Sequence, residues 1–174
     1  MAIRKILIEP NKILRQKSTE VEKVDEQTQR LMDDMLETMY AAPGIGLAAI
    51  QVGAPKKIIV IDISKDSKKK DPMFFVNPSI LWTSSNDKTY EEGCLSVPGQ
   101  FAEVNRPEKC KIKFLDYNGN SKELNAEGLL ATCIQHEIDH LEGILFIDYL
   151  SKLKQSMIVK KLSKQKKSLE RIIV

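Results

Sequence analysis

The sequence predicts an α+β fold: antiparallel β-sheets packed around a central helix, with one helix near the amino terminus and another at the carboxy terminus. Three observations lead there. Two segments, Asp25–Ala42 and Gly128–Glu142, carry apolar residues at helical period. Between them lie short β-branched or alternating runs that read as strands, two of them joined by a hairpin turn. The chain has 174 residues, enough for one domain with a sizeable core, and neither an internal repeat nor a linker divides it.

In the first helix, Leu31, Met32, Met35, Leu36, Met39 and Tyr40 form the apolar stripe, and acids and amides fill the other face. Asp25 is placed to cap its start, and Pro43-Gly44 stops it. A Gly-rich connection, Gly44–Gln51, follows. Lys57–Ile63 is β-branched and reads as a strand, followed by a polar, basic loop at Ser64–Asp71. Met73–Trp82 is apolar but contains Pro78, which predicts an edge position or a bend. Lys109–Tyr117 alternates Cys110, Ile112 and Phe114 against Lys109, Lys111 and Lys113. It turns through Asn118-Gly119-Asn120 into Ser121–Ala126. In Gly128–Glu142 the apolar positions are Leu129, Leu130, Cys133, Ile134, Ile138 and Leu141, with Gly143 as the terminating residue. A last helix is expected over about Tyr149–Leu169.

Composition bounds the function. The 42% hydrophobic and 29% charged fractions are those of ordinary globular chains. The first ten residues lack the unbroken apolar run of a signal peptide, and no segment reaches the roughly 20 apolar residues that span a bilayer. The expectation is a soluble, unexported, cytoplasmic protein with neither membrane nor DNA as partner. Cys94, Cys110 and Cys133 cannot all pair with one another and are sparse for a disulfide-stapled domain. Reduced thiols are the simpler reading, and a thiolate is then available as a ligand. The net charge of +3 is unevenly spread: residues 151–174 sum to +7 and the remainder to −4. The chain is therefore read as a single unit, 1–174, whose segment 151–174 is a basic helical tail.

The only two histidines stand four apart in His136-Glu137-Ile138-Asp139-His140. Positions i and i+4 of a helix project from one face, so both imidazoles reach one cation, and Glu137 reaches water there without coordinating. A helix with two surface histidines is the bland alternative. Such a catalytic site needs a third ligand. A thermolysin-like site takes a Glu from well downstream, but the acids after His140 are Glu142, Asp148 and Glu170. Glu142 is too close in sequence to fold back, and Glu170 lies in the basic tail. A metzincin-like site takes a His six residues on, where Phe146 stands. The third ligand comes from upstream. Cys94, preceded by Gly93, is the best candidate, although a free Cys is more often a small buried hydrophobe. Cys110 falls in a strand pattern and reads as core. Cys133 lies about 10 Å along the helix axis from His140, too far to share one tetrahedral ion comfortably, and reads as a pocket wall.

Three segments together resemble the peptide deformylase family: Gly44-Ile45-Gly46-Leu47-Ala48-Ala49-Ile50-Gln51, Glu92-Gly93-Cys94-Leu95-Ser96, and Gln135-His136-Glu137-Ile138-Asp139-His140-Leu141. Their order and spacing match over nearly the whole chain. The resemblance implies that Cys94, His136 and His140 hold one divalent ion, with water as fourth ligand. That makes the central helix a metal-binding one. Ferrous iron is implied as the native metal, with zinc, nickel or cobalt able to substitute. Glu137 becomes the general base and then acid, and Gln51 with the backbone N–H of Leu95 steadies the oxyanion. Gly44, Gly46 and neighbouring backbone pair with the substrate peptide, and Ile45, Glu92 and Cys133 lie at the methionine pocket. Arg106 is expected to face Asp139. One departure is Phe101, which stands where some members carry Arg near the substrate entrance. The implied activity is removal of the formyl group from N-formylmethionyl nascent peptides, releasing formate. The implied partner of the basic carboxy-terminal helix is the ribosome. Two other readings stay open: a metallopeptidase cutting internal bonds, and a structural metal site or binding module, which would be closed by four protein ligands.

Overall fold

The computed structural model describes residues 2–64 and 69–172, with residues 166–172 described by their backbone alone. The middle of the expected loop at Ser64–Asp71, and the side chains of Lys166, Lys167, Glu170 and Arg171 in the basic tail, lie outside the described residues.

Helix α1 (Glu26–Ala41) starts where Asp25 accepts the Thr28 N–H at 2.8 Å, which satisfies one of the free amides of the first turn. Its stripe of Leu31, Met32, Met35 and Met39 is buried against β1 (Gly46–Ala48) and β2 (Ile58–Ile61). The segment read as a Gly-rich connection therefore contains a strand, followed by a 3-10 turn at Ala49–Val52. Three residues, one of them glycine, are too short to show a strand period. They become a strand because β2 offers a pairing edge.

Strands β1, β2, β3 (Met73–Thr83), β6 (Lys109–Leu115) and β7 (Ser121–Glu127) form one antiparallel sheet in the order β1-β2-β3-β6-β7. β3 is central rather than at an edge. Pro78, which has no N–H to give to a ladder, is accommodated by a register shift between Val76 and Ser79, with Asn77 at φ +50°. The β6–β7 hairpin turns where expected, with Asp116 accepting the amides of Asn118 and Asn120. The second sheet has two strands, β4 (Asp87–Cys94) and β5 (Val97–Pro107).

Helix α2 (Gly128–Leu141) carries buried residues on nearly every face, as befits a helix inside the protein rather than on it. It packs on β1, β2 and β7 and ends at Glu142, with Gly143 at φ +76°. Phe146–Tyr149 forms its own 3-10 turn and Leu150 is extended, so the last helix, α3 (Lys152–Ile172), starts three residues later than expected. Its Leu162 is buried among Val97, Val104, Leu145, Phe146 and Ile147, so the front of the basic segment belongs to an apolar cluster. No helix among the described residues is long and apolar enough to cross a membrane.

Candidate active site

Three elements build the site: α2 brings His136, Glu137 and His140, the end of β4 brings Cys94, and the β1 edge with its 3-10 turn brings Gly46 and Gln51. The donor atoms of Cys94, His136 and His140 all lie within 4.8 Å of one another, with Cys94 Sγ 3.3 Å from His140 Nε2. Both imidazoles are buried and the cysteine is half-buried. Cys133 is outside this cluster. Its thiol lies over the Ile45 carbonyl, and burial pushes its pKa up, which keeps it a thiol. Cys110 is in the core.

The chemistry of the donors fits a divalent ion. Thiolate and imidazole bind first-row metals at about 2.0–2.3 Å, and the 3.3 Å between Cys94 Sγ and His140 Nε2 suits two ligands of one ion, with His136 in the same cluster. Burial, reinforced by neighbouring charge on His136 and Arg106, holds the His140 ring well below its ordinary pKa and therefore neutral, as a ligand must be. Burial opposes a charge on His136 too, but Cys94 and Glu92 outweigh it and raise that ring, so a cation there would displace a proton. His136 Nδ1 is 2.8 Å from Glu92 Oε2, which fixes the ring with its other nitrogen toward the cluster. Glu92 is in turn gripped by Arg106 at 2.6 and 3.1 Å, and Arg106 reaches Asp139 at 2.7 Å. The expected Arg106–Asp139 pair is thus present. Glu92 lines the cavity, with its carboxylate turned onto His136 and Arg106.

A cavity of about 460 Å³ opens beside the cluster. Of the expected residues, Gly44, Ile45, Gly46, Gln51, Glu92, Cys94, Leu95, Cys133, His136 and Glu137 line it; His140 lies behind, fully buried. Glu137 is buried, one carboxylate oxygen has no hydrogen-bond partner, and burial pushes its pKa up to about 7. Gln51 accepts the Ala48 N–H through Oε1 at 2.8 Å. That leaves Nε2 to donate to Ser96 Oγ at 3.1 Å, 3.6 Å from Cys94 Sγ. Ser96 N–H approaches the same sulfur at 3.4 Å. Sequence reasoning did not find Ser96, Leu129 and Thr132 at the site. Leu129, four residues before Cys133, and Thr132, four before His136, were legible at helical spacing, whereas Ser96 closed the segment Glu92–Ser96 without a role of its own.

A buried Cys-His-His cluster beside a carboxylate of raised pKa, open to a cleft, defines a metal-dependent hydrolase acting on an amide-like bond. Residues 3–156 match the family described as polypeptide deformylase, and the chain belongs to that family, which removes the formyl group from the amino-terminal methionine of nascent proteins. The peptide deformylase of Pelagibacter ubique is 66% identical over 174 residues, covering all of both chains. A solved peptide deformylase from Legionella pneumophila superposes with a TM-score of 0.90 at 49% identity, covering 98% of this chain and 99% of that one. The Ehrlichia chaffeensis peptide deformylase in complex with actinonin gives 0.91 at 44% identity, covering 95% and 98%.

Proposed function

We propose that this chain hydrolyses the formyl amide of N-formylmethionyl peptides at the cleft between β1, β4 and α2, with Cys94, His136 and His140 holding one ferrous ion. The carrying observation is that three ligand-competent donors lie within 4.8 Å of one another next to a carboxylate with an unpartnered oxygen. A divalent ion held there would supply Lewis acidity. The chain's own groups do the rest. Glu137, with its pKa about 7, takes a proton from the attacking water and delivers it to the leaving amine. Gln51, its Oε1 anchored on Ala48, aims an N–H donor at the charge that develops on the formyl oxygen, and the Leu95 backbone N–H is the second donor. β1 is an edge strand, so the substrate backbone can pair beside Gly44 and Gly46. Ile45 and Cys133 wall the space for the methionine side chain.

The test is formate release from formyl-Met-Ala. Glu137→Gln should lower it by about 10²–10⁴-fold while metal content stays that of the unaltered chain. Equal turnover by both chains would sink the assignment. A metallopeptidase reading predicts cleavage of unformylated peptides, and the same assay series separates the two.

Iron rather than zinc rests on family likeness alone; the mixed sulfur and nitrogen donor set binds several first-row metals, with iron below nickel and zinc in affinity, so availability decides what is bound. Anaerobic preparation should give higher activity than aerobic at equal metal content; equal activity counts against iron. The chain is read as one catalytic domain, 1–174, with α3 built into it. The lysines of α3 are the proposed contact to the ribosome through phosphate attraction. Charge reversal of Lys152 and Lys160 should abolish salt-sensitive pelleting with ribosomes, and unchanged pelleting removes the docking idea.

A further inference from the structure

A second hollow, about 530 Å³, lies between β5 and α3. It meets the catalytic cleft across Gly99 and Gln100, and Phe101 lines both. The Phe101 ring lies on Gly93 and is 66% exposed, a large aromatic surface at the lip of the cleft with little of its own to cover it. Beyond it, Ala102, Met157 and Ile158 give an apolar lining, and Lys154 and Lys161 stand there from one face of α3, with Glu103 the one acid. β5 pairs only with β4, so among the described residues its other edge carries no strand. A free strand edge beside an apolar floor is a surface that takes an extended peptide.

We propose that this hollow receives the downstream residues of the same peptide whose amino terminus sits in the catalytic cleft, and that it favours acidic ones. The inference rests on the deformylation reading given above. A nascent chain does not end at its second residue, so whatever leaves the cleft must cross its rim. Phe101 offers an apolar face to the passing chain, the β5 edge offers backbone partners, and Lys154 with Lys161 exceed Glu103 in charge. Helical spacing puts Lys152 and Lys160 on a different side of α3, so the groove face and the outward lysines are separate surfaces.

The experiment compares formyl-Met-Ala-Ser with longer formylated peptides that continue in Asp-Glu-Asp-Glu or in Lys-Arg-Lys-Arg, measuring KM and kcat for each. The acidic extension should lower KM by roughly threefold to tenfold, the range two exposed ion pairs supply, with kcat little changed. Added salt should erase the difference. In Lys154→Glu with Lys161→Glu the order of the two long peptides should invert, each referenced to formyl-Met-Ala-Ser on the same protein. Equal KM for all three on the unaltered chain overturns the groove while leaving deformylation standing. So does a preference for the basic extension. Absence of formate release from every peptide overturns both readings. If the charge reversal weakens ribosome pelleting but leaves the peptide order intact, the face belongs to the ribosome contact and the proposal falls.

Discussion

Gly46 is the residue on which the site geometry turns. A Cβ there would collide with the Glu137 carboxylate and come within 2.9 Å of Cys133 Sγ, and both neighbours are held in a packed helix. Gly46→Ala should displace the carboxylate and lower kcat by about 10²-fold, the cost of roughly an ångström of misplacement. Metal analysis should find the ion still bound, because none of its ligands is touched. Glu92 sets a different property, the orientation of the His136 ring. Glu92→Gln should weaken metal affinity by about 10–100-fold, read by competition with a chelator. The Glu137 carboxyl also fixes the acid side of the pH profile. As the proposed general base it would work only when ionised, so kcat/KM should fall as pH drops through about 7, and a bound cation would pull that midpoint lower. Glu137→Gln should remove this limb. Of these residues, the two histidines and Glu137 were legible because a helix converts a spacing of four into one face. Cys94 became legible by elimination, because no downstream residue could be the third ligand, and the order of three segments then singled it out. Glu92 on His136 was not, since a contact across 44 positions leaves no local trace.

At the scale of elements, what could be read was what repeats. α1 and α2 show the helical period, and β6–β7 shows both alternation and a turn. The β4–β5 ribbon shows neither, because Asp87–Cys94 is polar and largely exposed on both faces, with only Glu92 buried in the whole strand. That ribbon nonetheless carries Cys94 and closes the site. The end of α2 combines sequence signal and tertiary need. Gly143 sits at φ +76°, and a Cβ would lie 2.6 Å from the Arg15 carbonyl oxygen, an atom of the backbone that cannot swing away. Gly143→Ala should therefore cost more than the roughly 1–2 kcal/mol of left-handed strain alone. Urea unfolding should show a lower midpoint at unchanged slope. Activity per folded molecule should change far less, because His140 is three residues back within the hydrogen-bonded helix.

Across the whole molecule, early and late segments of the described chain are fastened to the site they flank. Near the amino terminus, the Leu7 N–H bonds the Gln51 carbonyl at 2.8 Å and the Glu9 N–H bonds the Ser96 carbonyl at 2.9 Å. Asp148 accepts from Arg15, from the Leu145 N–H and from Gln155 at the start of α3, tying the early chain to the late one. α3 therefore cannot be treated as a detachable basic arm. Its Leu162 is 2% exposed against Val97, three residues after Cys94, and against Phe146, whose ring stacks on His136. Leu162→Ala should cost about 2–5 kcal/mol, the range for emptying a leucine-sized space in a core. Deleting 151–174 should cost more, because Ile158 and Val159 leave the same cluster. The loss should then reach the site: with the support of Phe146 loosened, the truncated chain should bind its metal more weakly and unfold at lower urea. Charge reversal of outward lysines on α3 should leave both quantities unchanged. Chelator competition and urea titration on the three proteins separate these outcomes. A truncated chain as stable and as tightly metal-bound as the intact one would show that α3 only leans on the domain.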